Sequence, residues 1–334
     1  MHLLTVSLVL AAISGALAHP THHLARREVR IIGSVARGTH SAPAVAPPPS
    51  STGSPIGSAA NSTVGTFETL VKGNQKFRDE IKSSEPELLK KLTDEGQSPP
   101  FMFLGCSDSR VSEGTIFNAK PGTLFTQRNI ANQFQSTDPN AQSVLSYAVA
   151  ELGVQHVLVV GHYGCGGVAA SIVPPPAGLV DAANGAVQSW IQPVREIFAT
   201  SSRPEIVELR GRINSTVTEE PEVSDPGFRA LVEENVKASV KRITSDSVIS
   251  NHFTTLATEA QKTKRSGTEK ALSPVFVHGW VYDIENGEIR DLGVSVGPPG
   301  VAIPPPPFEA VAAAGAKVAG GEITVIGHST STTV

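Results

Sequence analysis

From residue 101 onward the chain alternates two kinds of segment. Short, continuous apolar runs end in polar clusters, and longer stretches carry apolar positions at helical spacing. Phe101-Met102-Phe103-Leu104 and Val157-Leu158-Val159-Val160 are too short for helices and predict buried strands over 101–104 and 156–160. Thr123 to Gln127 predicts another strand. Asp138-Pro139 opens a helix whose buried side carries Val144, Leu145, Ala148, Val149 and Leu152, and Gly153 closes it. A helix is predicted from Gly164 to Ile172, stopped by Pro174-Pro175-Pro176. Further helices are predicted over 184–199, 225–248 and part of 250–261, with 201–222 and the charged run 262–271 as loops. Val275–Tyr282 and Glu288–Val294 flank Asn286-Gly287, a turn pair that predicts a C-terminal strand hairpin. Strands alternating with helices predict an α/β fold with a parallel sheet covered on both faces.

The N-terminal part reads differently. Phe67, Leu70, Val71, Asn74 and Phe77 mark an amphipathic helix with Thr66 as its N-cap, and a second helix is predicted over 86–92 before Gly96 to Pro100 breaks the pattern. Residues 28–65 are rich in Ser, Pro, Gly, Thr and Ala and hold too little apolar surface to offset the entropy of ordering them. Leu3 to Leu17 is mostly apolar and Ala16-Leu17-Ala18 fits a small-x-small cleavage site, the pattern of a secretory signal. The expected organisation is a signal peptide over 1–18, a pro-segment and disordered linker over 19–65, a catalytic domain over 66–297 and a flexible Ala/Gly/Pro-rich tail over 298–334. Secretion gives meaning to a dibasic pair, Arg26-Arg27, and to two N-glycosylation sequons at Asn61 and Asn214.

Composition narrows the function. The 334 residues carry 27 Lys and Arg against 31 Asp and Glu, a net charge of −4, so no basic footprint for nucleic acid is present. No apolar run approaches the roughly 20 residues that span a bilayer, so no transmembrane helix is expected.

The chemistry concentrates at two predicted strand ends. Gly105-Cys106-Ser107-Asp108-Ser109-Arg110 follows one strand, and Gly161-His162-Tyr163-Gly164-Cys165-Gly166-Gly167 follows the other. Open α/β sheets place ligands at such ends. Cys106, His162 and Cys165 together offer two thiolates and one imidazole, three protein ligands for zinc with the fourth tetrahedral position open, as in catalytic sites. The helix beginning beside Cys165 should favour its thiolate. Asp108 has two possible roles: it accepts a hydrogen bond from metal-bound water, or it becomes a fourth ligand that closes the site. A bidentate pair with Arg110 would hold it off the metal. An open position supplies zinc-bound hydroxide near neutral pH, suited to a small electrophilic carbon. The competing reading is a disulfide, since Cys106 and Cys165 are the only cysteines of a chain read as secreted.

These segments, with Arg128-Asn129-Ile130-Ala131-Asn132 and Val277-His278-Gly279-Trp280-Val281-Tyr282-Asp283, resemble the signature segments of the β-class carbonic anhydrases over about residues 66–297. The resemblance implies a central four-stranded, mainly parallel sheet flanked by helices. It implies zinc on Cys106, His162 and Cys165, with the Asp108–Arg110 pair gating the fourth position, and reversible hydration of carbon dioxide to bicarbonate and a proton. Gln97 matches a glutamine that hydrogen-bonds substrate in that family. A homodimer, or a higher homo-oligomer of dimers, is implied, with N-terminal helices embracing the partner and active sites near the interface. Some members hold an inhibitory bicarbonate with a tryptophan, an arginine and a tyrosine. Here Arg128 matches the arginine, but Phe103 stands in the tryptophan's place and Ser112 replaces a common proline. Hydrolysis of carbonyl sulfide or carbon disulfide on the same scaffold, and a noncatalytic zinc module with Asp108 locked on the metal, are the alternatives.

Overall fold

A computed structural model describes residues 67–175, 181–213, 219–266 and 272–311, with the backbone alone over 259–266. The expected signal peptide and linker, both sequons, Arg26-Arg27 and residues 312–334 lie outside the described residues.

Four parallel strands and one antiparallel edge strand form a single sheet in the order β2-β1-β3-β4-β5. They are β1 (Phe101–Cys106), β2 (Leu124–Asn129), β3 (His156–His162), β4 (Phe276–Tyr282) and β5 (Ile289–Asp291). β1 lies between β2 and β3, with Phe103 level with Thr126 and Leu158. The predicted four parallel strands and the terminal hairpin are both present, and β5 pairs antiparallel with β4. Each central strand is buried nearly throughout, which is why its sequence reads as a continuous apolar run.

Helices α1 (Phe67–Ser84) and α2 (Leu88–Glu95) precede the sheet, and a one-turn α3 (Glu113–Ile116) follows β1. α4 (Pro139–Ser146) starts as predicted, with the Asp138 side chain accepting from the Asn140 N–H, but its last turn widens to a π turn over Tyr147–Glu151. α5 (Gly166–Ile172) follows β3. The single helix predicted over 184–199 is two, α6 (Ala182–Trp190) and α7 (Gln192–Thr200), parted at Ile191 just before Pro193. A proline lacks the N–H that would continue α6 but suits the first turn of α7. The supposed loop 201–222 contains α8 (Pro204–Arg212), which buries only Ile206 and Leu209 and is otherwise too polar to show a stripe. The two long helices are α9 (Pro226–Ser245) and α10 (Ser247–Ser266), and α10 runs into the charged stretch assigned to a loop.

One sheet face presents Met102, Leu104, Val157, Val159 and Val277 to Ala141 and Leu145 of α4, to Val236, Val240 and Ile243 of α9 and to Ile249 of α10. α9 approaches so closely at Gly161 that a Cβ there would lie 2.5 Å from a Val236 methyl. The other face carries Phe103, Leu158, Val160 and Trp280, packed against Phe117 and Phe308. The sheet is flanked by helices as expected, but α1 and α2 bury no residue, and the apolar stripe of α1 stays exposed: Phe67 is 88%, Leu70 70% and Val71 68% accessible.

Residues 298–311, assigned to the tail on composition, run back along the sheet. Asp291 bridges Ala310 in parallel, and the Val311 N–H donates to the Asp291 carbonyl. Phe308 anchors the segment edge-on against the Trp280 ring at 5.0 Å. No helix among the described residues is long and apolar enough to cross a membrane.

Candidate metal centre

Cys106 ends β1 and His162 ends β3, so two neighbouring parallel strands deliver a thiol and an imidazole to the same end of the sheet. Beyond His162 the chain turns at Gly164, whose φ of +70° is a conformation side chains rarely adopt, and this turn brings Cys165 back to cap α5. The donor atoms of Cys106, His162 and Cys165 lie within 4.8 Å of one another and all three residues are buried; among the described residues this is the group suited to a metal ion.

The arrangement fits a tetrahedral zinc. The two sulfurs stand 3.8 Å apart and both cysteines are free, so no disulfide joins them in this structure. Two thiolates each about 2.3 Å from a tetrahedral zinc stand about 3.8 Å apart. The His162 Nδ1 sits 3.0 Å from the Tyr163 carbonyl, which fixes it as the protonated nitrogen. Its Nε2 is buried and has no partner, the costly state a metal relieves.

The sulfurs share their protons unequally. The contact with Cys165, and then His162, favour the charged form of Cys106 against the cost of burial. Cys165 is pushed up by the neighbouring Cys106 and by burial. The expectation from helix polarity is half right: the amides of Gly167 and Val168 do favour a Cys165 thiolate, but the adjacent thiolate and burial outweigh them. A dication held by both sulfurs would offset that repulsion.

Asp108 and Arg110 form the bidentate pair. Asp108 Oδ1 accepts from Arg110 Nε at 3.0 Å and from its backbone N–H at 2.9 Å, while Oδ2 accepts from Nη2 at 2.7 Å. The guanidinium pulls the Asp108 carboxyl down to about 2. Asp108 Oδ2 lies 3.8 Å from His162 Nε2, at the edge of the cluster, and Arg110 also donates to the Gly164 carbonyl. Arg128, matched by resemblance to an inhibitory pocket, is engaged otherwise: it donates to the carbonyls of Cys106 at 2.9 Å and Asp108 at 2.6 Å and pairs with Glu113. Sequence reasoning missed this bracing because carbonyl partners leave no signature in side-chain spacing.

Gln97 does not join this cluster. It is exposed in the loop before β1, while Cys106 is the last residue of that strand. Five steps along a strand separate the two ends by about 17 Å.

A profile of the family described as "Carbonic anhydrase" matches residues 101–289. A carbonic anhydrase of Emericella nidulans is 30% identical over 229 residues, covering 69% of this chain and 84% of that protein. The chain belongs to the β-class carbonic anhydrase family. As a carbonic anhydrase it is a zinc lyase, and its metal group is the Cys106–His162–Cys165 cluster. Among solved β-carbonic anhydrases, CafA of Aspergillus fumigatus is 31% identical over 68% of this chain and 91% of its own, with a TM-score of 0.51. A tetrameric β-carbonic anhydrase from Sordaria macrospora is 28% identical over 69% of this chain and 98% of its own, with a TM-score of 0.52.

Proposed function

We propose that this carbonic anhydrase interconverts carbon dioxide and bicarbonate at the Cys106–His162–Cys165 zinc, with Asp108 as the proton-accepting group beside the open position. The observation that carries the reading is the bidentate Asp108–Arg110 pair set against an imidazole nitrogen that lacks a partner. Zinc held by Cys106, His162 and Cys165 would supply hydroxide at neutral pH, by lowering the pKa of a bound water from about 15.7 to about 7. Both oxygens of Asp108 are committed to Arg110, which keeps the carboxylate charged and off the metal, leaving its remaining lone pairs free to orient water. Arg110 is tied in turn to the Gly164 carbonyl, so the pair is referenced to the His162–Cys165 turn. Arg128 braces the loop that carries Cys106 and Asp108. Cys106 and His162 sit at strand ends and Cys165 caps α5, so the donors are held by regular elements before any metal arrives.

A homodimer is part of the proposal. The exposed apolar stripe of α1 lacks a cover among the described residues, and a partner is what would bring Gln97, at the other end of β1 from its own metal group, to substrate. The N-terminal pattern supports secretion, with N-terminal sequencing of the mature protein as its check.

The function is tested by stopped-flow hydration of carbon dioxide and hydrolysis of carbonyl sulfide on the same zinc-loaded preparation. Rapid hydration is the expected outcome. Fast sulfide release with negligible hydration would overturn the substrate assignment.

A further inference from the structure

The peptide that follows His162 holds two parts of the site at once: the Tyr163 carbonyl faces His162 Nδ1 at 3.0 Å, and the Gly164 carbonyl accepts from Arg110 at 3.0 Å. The Tyr163 side chain, buried behind this peptide, is held on two sides. Its hydroxyl donates to Glu233 of α9 at 2.8 Å, and the Arg229 guanidinium lies 3.5 Å over the centre of its ring. Both holders are themselves anchored. Arg203 donates to the second oxygen of Glu233 at 2.6 Å, and Arg229 donates to Asp283 at 2.7 Å, just past β4. The Tyr163 N–H continues the sheet by donating to the Tyr282 carbonyl at 3.0 Å.

Such a construction is more than packing requires. The ring packs within the apolar cluster that holds Phe228 and Val232, yet its hydroxyl meets a carboxylate and its face a guanidinium, groups whose burial is costly unless their geometry is kept. Glu233 is buried, and its two oxygens are divided between Tyr163 and Arg203. The network therefore fixes one side chain, and through it the carbonyl that sets the tautomer and direction of the metal-binding imidazole.

We propose that Tyr163 is a positioning residue of the metal centre, clamped by Glu233 and Arg229 so that its backbone carbonyl aims His162 Nε2 at the zinc. The proposal rests on the zinc reading above. It adds a claim about ring and helix residues that touch neither metal nor substrate. Outer partners of metal-bound histidines typically change metal affinity by about 10- to 100-fold when removed.

The test uses the full-length holoenzyme and two readouts other than turnover: the rate of zinc release to a chelator, and the visible spectrum of the cobalt-substituted protein. Tyr163→Phe removes only the hydroxyl, Tyr163→Leu removes the ring as well, and Ile243→Ala destabilises the core elsewhere in α9. Zinc release is expected to quicken from wild type to Tyr163→Phe to Tyr163→Leu, by about ten-fold or more in the last. The cobalt bands shift in both Tyr163 variants, and Ile243→Ala keeps the wild-type rate and spectrum. Should Tyr163→Leu fail to fold, the Tyr163→Phe comparison carries the same decision. Unchanged release and unchanged bands in the Tyr163 variants, or equally fast release from Ile243→Ala, would overturn the proposal. Failure of the zinc reading itself is distinguishable, because the wild-type protein would then hold no zinc at all.

Discussion

At the scale of single residues, the account divides the site into groups that hold metal and groups that handle the proton. Replacing His162 with Ala removes one of three ligands, so zinc and activity should be lost together, measured as metal per chain alongside hydration rate. Asp108→Asn should behave differently. The isostere keeps the fold and the metal but cannot carry the charge that Arg110 stabilises, and turnover should fall by about 100-fold or more, in the range of a lost proton acceptor. Near-normal turnover with full zinc would remove Asp108 from the mechanism. Its pH behaviour follows from its partner. The Arg110 pair lowers the folded carboxyl to about 2 from an ordinary 3.8, so its stabilising contribution is present above about pH 4 and lost as pH falls toward 2. Acid unfolding of Asp108→Asn should lack that component, as read by circular dichroism between pH 4 and 2.

At the scale of elements, the strands were legible because burial on both faces writes itself as an uninterrupted apolar run, as in Val157 to Val160. The ligand cluster was legible because those runs end in Cys, Asp, Arg and His. What escaped were features with weak periodicity or long-range partners: α8, whose burial rests on two side chains; the break at Ile191; and the return of 298–311, anchored by Phe308. The start of the strands hides a pair that composition does not announce. His156 Nδ1 and His278 Nε2 lie 3.0 Å apart, and His278 Nδ1 meets the Ser295 hydroxyl at 2.9 Å. Burial, then the neighbouring His156, lowers His278 to about 4 from an ordinary 6.5. A histidine kept neutral by folding stabilises fully above pH 6.5, and that contribution is lost as pH falls toward 4. The melting temperature of His278→Gln should therefore change less than that of wild type over this interval, and parallel curves would contradict the assignment. In the core formed with α4, Leu145→Ala should cost about 2–5 kcal/mol in denaturant unfolding, because a fully buried side chain leaves a cavity.

At the scale of the whole molecule, the proposed second copy has one observation behind it, an apolar face of α1 left uncovered among the described residues, and it would also bring Gln97, in the loop before β1, to a partner's site. If the proposed dimer forms through this stripe, Leu70→Glu with Val71→Glu should give a monomer in sedimentation velocity and lower hydration in parallel, since Gln97 would no longer reach a partner's site. A dimer that survives both substitutions would place the interface elsewhere. The central claim is that one zinc per chain, held by Cys106, His162 and Cys165, makes this protein a catalyst of carbon dioxide hydration. It is tested most directly by adding zinc back to chelator-stripped protein while following hydration in a stopped-flow instrument. The account predicts no activity in the stripped protein and a linear rise to a plateau at one zinc per chain. Activity that survives stripping, or none at full zinc occupancy, would contradict it.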